Sequence, residues 1–301
     1  MSENNAKKAY EERQQQIKEI LENLEDGVRG VFTSENYIKY LETFSKFHNY
    51  SFNNIILILS QFPQASYVAS FKDWNQKFNR IIKKGEKGIK ILVPTPKKVT
   101  VEEEITNPDG TTSKKEVEKK RLYFKLGHVY DLSQTVGDEL PSLVKNLELD
   151  TPELNRIIFL LMATSQVPIQ YDYSLKEDDA NGYYNILKKE IYLKPSLQSL
   201  HKLKTIVHEY SHYLQETIYA EQTKDFLRDT KEVIAESAAF CVISMLSKEF
   251  NMEELDSSQY SFGYIASWGS KDLKELKTTL ELISKISNTI FDWISKQFVV
   301  A

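Results

Sequence analysis

Two histidines and a glutamate fall within five residues in the stretch IVHEYSHYLQ, Ile206 to Gln215. His208 and His212 are four apart, so on a helix their rings lie over one another on one face. Two imidazoles so placed can hold one Zn²⁺ at about 2.0–2.1 Å each. Glu209 is rotated one residue from that axis, where its carboxylate can take a proton from a water acidified by zinc and return it to a leaving group. The plain alternative is an amphipathic helix with polar side chains on its outer face. Hydrolytic zinc needs a third protein ligand and an open fourth position. His201 lies two turns back along the same helix, too far to share the ion. The stretch KEVIAESAAF offers Glu232 and Glu236 on one helical face, opposite a stripe of Ile234, Ala238, Cys241 and Met245. A carboxylate in apolar surroundings is costly unless paired or metal-bound. Glu236, in the most apolar company, is read as the third ligand, and Glu232 as the acceptor that orients a histidine N–H.

A second constellation lies in the front half. From Lys72 to Lys98 there are nine Lys and Arg against two acids, Asp73 and Glu86. FKDWNQKFNRIIKKGEKGIKI brings Arg80, Lys83, Lys84, Lys87 and Lys90 around Gly85 and Gly88. The glycines permit a tight turn with outward backbone N–H groups, so amides and lysines together could grip phosphates. Aromatics flank the segment, and bases of a single strand stack on exposed rings at about 1–3 kcal/mol each. Duplex DNA hides those base faces, so the mixture favours single strands. Tyr50 and Trp74 are the rings proposed to stack. Phe71, Trp74 and Phe78 also stand at helical spacing, which suits a core equally well.

The elements that must position these groups are legible as patterns. YEERQQQIKEILENL places Ile17, Ile20, Leu21 and Leu24 at helical spacing before Gly27 and Gly30, and SENYIKYLETFSKF restarts the helix with Ser34 as a cap. SFNNIILILSQF is a short apolar segment, helix or strand, ended by Pro63. From Gly88 the texture turns to strands, and NPDG (Asn107 to Gly110) is a hairpin signal between VTVEEEI and RLYFKLGHVYDL. The charged run between Lys97 and Arg121 predicts a protruding, solvated ribbon. A boundary is expected between Ser133 and Asn146. TPELNRIIFLLMATSQ then starts a helix, with Pro152 at its first position. IQYDYS and GYYNILKKEIYLKP form a short meander, followed by the HEYSH helix, a second polar-faced helix and a long amphipathic C-terminal helix.

Composition bounds the rest. The chain has 301 residues and 41% hydrophobic residues, enough for one large domain or two ordinary ones. A formal charge of −4 excludes a generic polyanion binder, so the local basic run matters more than the total. The opening MSENNAKKAYEERQQQIKEI lacks the apolar stretch of a secretory signal, and IILIL is too short to cross a bilayer. The single cysteine, Cys241, lies on an apolar helical stripe and reads as core. A cytosolic protein without a membrane partner is expected.

HEYSH followed by AESAAF resembles the gluzincin pattern of ImmA/IrrE-type metallopeptidases, in which a Glu followed four residues later by Phe supplies the third ligand. Glu236 and Phe240 match that spacing. YSFNNIILI, the basic segment and FKLGHVYDLSQT together resemble the N-terminal domain of ArdC-like antirestriction proteins. SFGYIASW (Ser261 to Trp268) is similar to the Tyr-Ile-x-x-Trp stretch of that family's C-terminal region. The resemblance implies an α+β chain: residues 1–140 form an N-terminal single-stranded-DNA-binding domain of helices and a hairpin-rich sheet, and residues 141–301 a minimal zincin metallopeptidase. His208, His212 and Glu236 would be ligands, Glu209 the general base, and Tyr264 an oxyanion donor or substrate contact. By the same resemblance, such a protein would coat DNA entering by conjugation, shield it from restriction and cleave a host protein or peptide. Two rivals stand beside it: a regulatory protease that cleaves a repressor, and a DNA-binding protein whose zinc is structural.

Overall fold

The computed structural model describes residues 2–106, 112–140, 152–249 and 271–300. Tyr264, the SFGYIASW stretch and the NPDG tip lie outside the described residues. The architecture is α+β. Helices α1 (Ser2–Val31), α2 (Ser34–Lys46) and α3 (Phe52–Gln61) come first. SFNNIILILSQF is therefore helical, and the Ser51 hydroxyl accepts the Asn54 N–H at its start. Strand β1 (Val68–Ser70), helix α4 (Phe71–Phe78) and strand β2 (Arg80–Ile82) lead to the long pair β3 (Ile89–Thr106) and β4 (Thr112–Asp131), then β5 (Thr135–Gly137). The back half contains α5 (Pro152–Thr164), β6 (Ile169–Tyr171), β7 (Gly182–Asn185), β8 (Glu190–Leu193), α6 (Ser199–Glu216), the short α7 (Ala220–Thr223), α8 (Arg228–Glu249) and α9 (Leu273–Val300).

Three small sheets result, with orders β1-β4-β3, β2-β5 and β6-β8-β7. β3 is an edge strand, and α3 covers part of that edge with side-chain amides. Asn54 exchanges hydrogen bonds in both directions with Leu92, and Gln61 does the same with Lys90, at 2.9–3.0 Å. These amides stand in for a neighbouring strand, one way of closing a sheet edge. The meander expected ahead of the HEYSH helix is instead a mixed sheet. β8 lies in the middle, parallel to β6 and antiparallel to β7. β6 and β7 consequently take the two edges, and β7 runs beside α6. Gly182 makes that approach possible: a Cβ there would stand 2.5 Å from Tyr192 O and 2.7 Å from Thr205 Cγ2.

The core is continuous across the boundary expected at residue 140. One buried cluster joins Leu24, Tyr37, Leu41 and Phe44 of α1 and α2 to Ile234, Cys241, Ile283 and Ile290 of α8 and α9. Tyr37 Oη lies 2.7 Å from Ser237 Oγ in the buried contact between α2 and α8. The Cys241 thiol is fully buried in this layer and pushed up to about 12 by that burial, as its place on an apolar stripe implied. No helix among the described residues is long and apolar enough to cross a membrane. Because α2 braces α8, removing the Tyr37 side chain acts on both halves together. Tyr37→Ala is expected to cost about 3–5 kcal/mol and to lower one shared thermal transition, followed by far-UV and near-UV circular dichroism. Two separated transitions with the later one unmoved would contradict the shared core.

Candidate metal centre and basic groove

Helix α6 buries Leu203, Ile206, Val207, Tyr210 and Leu214, leaving His208 and His212 on its half-exposed stripe. α8 runs antiparallel to it. Lys204 Nζ is 3.2 Å from Glu236 Oε1, while at the other end Lys231 Nζ is 2.7 Å from Glu216 Oε1 and Gln215 donates to the Lys231 carbonyl. α8 is buried on nearly every side, because α2, α6 and α9 all pack on it. Lys231, Glu232 and Glu236 are only half-buried, and all three reach toward α6. The fold thereby brings two carboxylates against two imidazoles.

The order of the glutamates differs from the sequence expectation. Glu232 Oε2 stands 3.4 Å from both His208 Nε2 and His212 Nε2, and those two nitrogens are 3.2 Å apart. Four ligands placed tetrahedrally at about 2.0–2.1 Å from an ion are separated by about 3.3–3.4 Å, the edge length of that tetrahedron. His208, His212 and Glu232 thus describe one face of such a site, with all three ligand atoms within 4.8 Å of one another. Glu236 is on the other nitrogen: its Oε2 is 3.2 Å from His208 Nδ1. The physical reason is helix phase. With α8 antiparallel to α6, the glutamate nearer the α8 N-terminus meets the turn holding His212, and the one a turn later meets the back of the His208 ring. Two imidazoles and a carboxylate without a thiolate suit zinc and tolerate other divalent ions.

Glu209 is 8% exposed, and its Oε2 accepts the Tyr184 N–H of β7 at 2.8 Å. Burial raises its carboxyl above the ordinary range, although His208, His212 and that N–H pull the other way. For His208, burial opposes the charged form, but Glu232 and Glu236 outweigh it and lift the imidazole to about 9. Glu232 is held well below the usual carboxylate range by hydrogen bonds from His208 and His212. Two hollows flank the centre. One of about 410 Å³ is lined by Asn181, Gly182, His201, Lys204 and Glu236. The other, of about 690 Å³, lies beside Tyr183, Tyr184, His212, Phe226 and Arg228. His201 thus lines the cleft without joining the ligand cluster.

The basic segment forms a groove of about 920 Å³ lined by Gln61, Phe62, Gly85, Lys87, Lys90, His128 and Tyr130, among others. Gly85 adopts φ +92°, as the turn through KKGEKG requires. Buried Gln134 braces this turn from behind, donating to Glu86 Oε2 and the Lys87 carbonyl and accepting the Asp131 N–H. Lys84, Lys87 and Lys90 are exposed. Lys83 donates to the Ser133 carbonyl at 2.7 Å. Arg80 is committed to the chain itself, donating to Thr135 and to the carbonyls of Gly137 and Asp138, which ties β2 to β5. Trp74 requires a correction. It is fully buried, its indole N–H donates to the Tyr130 carbonyl, and Tyr67 and Phe78 cover the ring, so no face is open to a base. Tyr50 is half-buried against Phe47, and its hydroxyl donates to the Val68 carbonyl. The groove residues Phe62, His128 and Tyr130 are not legible in the basic segment because they come from elsewhere in the chain, the end of α3 and strand β4. Only the β3–β4 register brings His128 opposite Lys90.

Fold and site together define an α+β protein with a helix-borne His/His/Glu cluster suited to a divalent metal and a separate basic groove. Residues 7–130 match the family described as the N-terminal domain of anti-restriction factor ArdC, in keeping with the sequence resemblance over that segment. The antirestriction protein ArdC of plasmid R388, in its Mn(II)-bound crystal structure, has the same fold at a TM-score of 0.51. The match covers 92% of this chain and 97% of that one at 17% identity. The metal-free crystal structure of the same protein aligns at a TM-score of 0.48, with 20% identity, over 82% of this chain and 86% of that one. An uncharacterized Bacillus anthracis protein, pXO2-81, is 23% identical over 96% of this chain, which spans only 53% of that relative.

Replacing either glutamate by glutamine distinguishes their positions. Glu232→Gln is expected to abolish stoichiometric uptake of Zn²⁺ or Mn²⁺, whereas Glu236→Gln weakens it about 10- to 100-fold, measured by calorimetric titration. The raised His208 value also carries a sign. Its charged form is favoured in the fold, so that stabilisation is complete below the ordinary imidazole value of 6.5 and is lost as pH rises through about 9. The melting temperature of metal-free protein should therefore fall across that window, and His208→Gln should flatten the fall.

Proposed function

We propose that this is an antirestriction protein that binds single-stranded DNA through its front half and carries a zinc-dependent peptidase centre in its back half. The observation that carries the hydrolytic part is the tetrahedral-face spacing of His208, His212 and Glu232 beside buried Glu209. That the R388 ArdC structure of the same fold is Mn(II)-bound supports a divalent ion for this chain as well. A bound zinc ion would supply Lewis acidity to a water and to the scissile carbonyl.

The chain's own residues supply the remainder. Glu209 has one oxygen anchored on the Tyr184 N–H, which leaves its other oxygen to take a proton and hand it to the leaving amine. Burial keeps its proton affinity above that of an ordinary carboxylate, the useful direction for a base that must later act as an acid. Glu236 faces His208 Nδ1, and where a metal displaced the proton from Nε2, it would hold the remaining proton on Nδ1 and leave the Nε2 lone pair to the ion. β7 is an edge strand along the cleft, and beyond the Tyr184 N–H held by Glu209 an extended peptide can add to it. Tyr264 retains its proposed role as oxyanion donor or substrate contact.

For the DNA half, exposed Lys84, Lys87 and Lys90 around the Gly85 turn suit phosphates, with Phe62, His128 and Tyr130 lining the same groove. The ArdC N-terminal-domain match over residues 7–130 supports this reading. In the cytosol of a recipient cell, such a protein would cover incoming single strands and keep restriction enzymes from them. Full-length protein should bind an oligothymidine in preference to duplex, with log affinity falling against log salt by about 0.7 per phosphate contacted. Equal affinity for duplex would overturn the single-strand assignment. Glu209→Gln should keep its metal and lose peptide hydrolysis by at least about 100-fold. Unchanged protection of DNA in that variant would make hydrolysis unnecessary for antirestriction and leave the centre structural in that role.

A further inference from the structure

The β3–β4 pair continues well past the sheet that anchors it. β1 joins β4 only at residues 129–131, so most of the pair is a bare two-stranded ribbon. From Pro94 to Glu102 and from Val117 to Lys125, no described side chain is buried. An exposed ribbon of this kind normally carries polar side chains, since apolar ones there gain nothing from burial. This one instead exposes Leu122 at 60%, Tyr123 at 43% and Phe124 at 37%.

Side chains alternate along a strand and directly paired residues share a face. Tyr123 therefore shares one face with Arg121, Lys125 and Lys97, and Lys97 Nζ stands 5.6 Å over its ring. Phe124 shares the other face with Leu122, Lys120 and Lys98. By the same alternation, Phe124 is on the face that carries His128 and Tyr130, two residues lining the basic groove. His128 and Phe124 are four residues apart, about 13 Å along the strand. Farther out, acids enter and are matched by lysines: Glu118 pairs with Lys98 and Glu102 with Lys114. The cationic, aromatic zone is thus confined to the shaft and adjoins the groove.

We propose that this shaft is a second contact segment for single-stranded nucleic acid, continuing the groove outward. Bases stack on Phe124 on the groove face and, where the strand passes around the unpaired β4 edge, on Tyr123 on the opposite face, with phosphates against Lys120 on the first face and Arg121, Lys125 and Lys97 on the second. Charge complementarity selects a polyanion, and exposed rings select unpaired bases over duplex. The inference rests on the single-strand reading of the groove, and the two can fail separately.

The test is fluorescence anisotropy of full-length protein with an oligothymidine longer than the roughly 4–16 nucleotides one such site covers. Replacing both rings, Tyr123→Ala with Phe124→Ala, should weaken binding at least about fivefold per ring while the salt dependence persists. Exchanging the rings, Tyr123→Phe with Phe124→Tyr, should retain affinity. Lys97→Ala with Arg121→Ala should reduce the salt slope by about 1.4. Wild-type affinity in the double-alanine protein overturns the proposal, leaves the groove reading intact and points to a protein partner for the ribbon. Equal loss in the ring-exchange protein overturns it as well, because stacking tolerates that exchange. Absence of oligothymidine binding by the wild-type protein at low salt overturns both readings.

Discussion

One imidazole is held from both sides. Glu236 meets His208 at Nδ1 and Glu232 meets it at Nε2, with His212 alongside. These groups would repel or lie unsatisfied if their helices were displaced by a turn. Carboxylates half-buried on a helix are tolerated only when something opposite neutralises them. The register between α6 and α8 is thus set by charge as well as by packing, and Lys204–Glu236 and Lys231–Glu216 fix it at either end.

That register in turn depends on the front of the chain. α8 is wrapped by α2, α6 and α9, and the buried Tyr37–Ser237 contact satisfies a hydroxyl that would otherwise be stranded between helices. The N-terminal helices therefore form part of the support of the metal-facing helix. The β elements of the front half have a different task. They hold the lysine-glycine turn through Gln134 and project the ribbon, away from the shared core. A catalytic candidate and a nucleic-acid candidate are thus built on one continuous core while their functional surfaces remain separate.

Much of this was readable from residue order. HEYSH declared its helix, its ligand pair and its adjacent carboxylate through the 3.6-residue period alone. The Ala-rich stripe through Ile234, Ala238 and Cys241 announced a buried helix, and Cys241 is indeed core. Trp74 was less legible. A ring at helical spacing beside lysines fits a core and a stacking platform equally, and only its full burial decided between them. Arg80 is comparable: its charge is visible in sequence, but its engagement with the carbonyls of Gly137 and Asp138 is a contact across more than fifty residues.

The sequence by itself determined the chemistry available: two histidines one turn apart, a glutamate beside them, two more on a following helix, and lysines around two glycines. Those are local facts, because helical and strand periods act over a few residues. Tertiary structure alone decided which glutamate faces the Nε2 pair, which strand lies on the edge beside α6, and which rings remain exposed. Each depends on the direction and phase in which distant elements meet. α8 runs antiparallel to α6, β8 inserts between β6 and β7, and β4 folds back on β3 with His128 opposite Lys90.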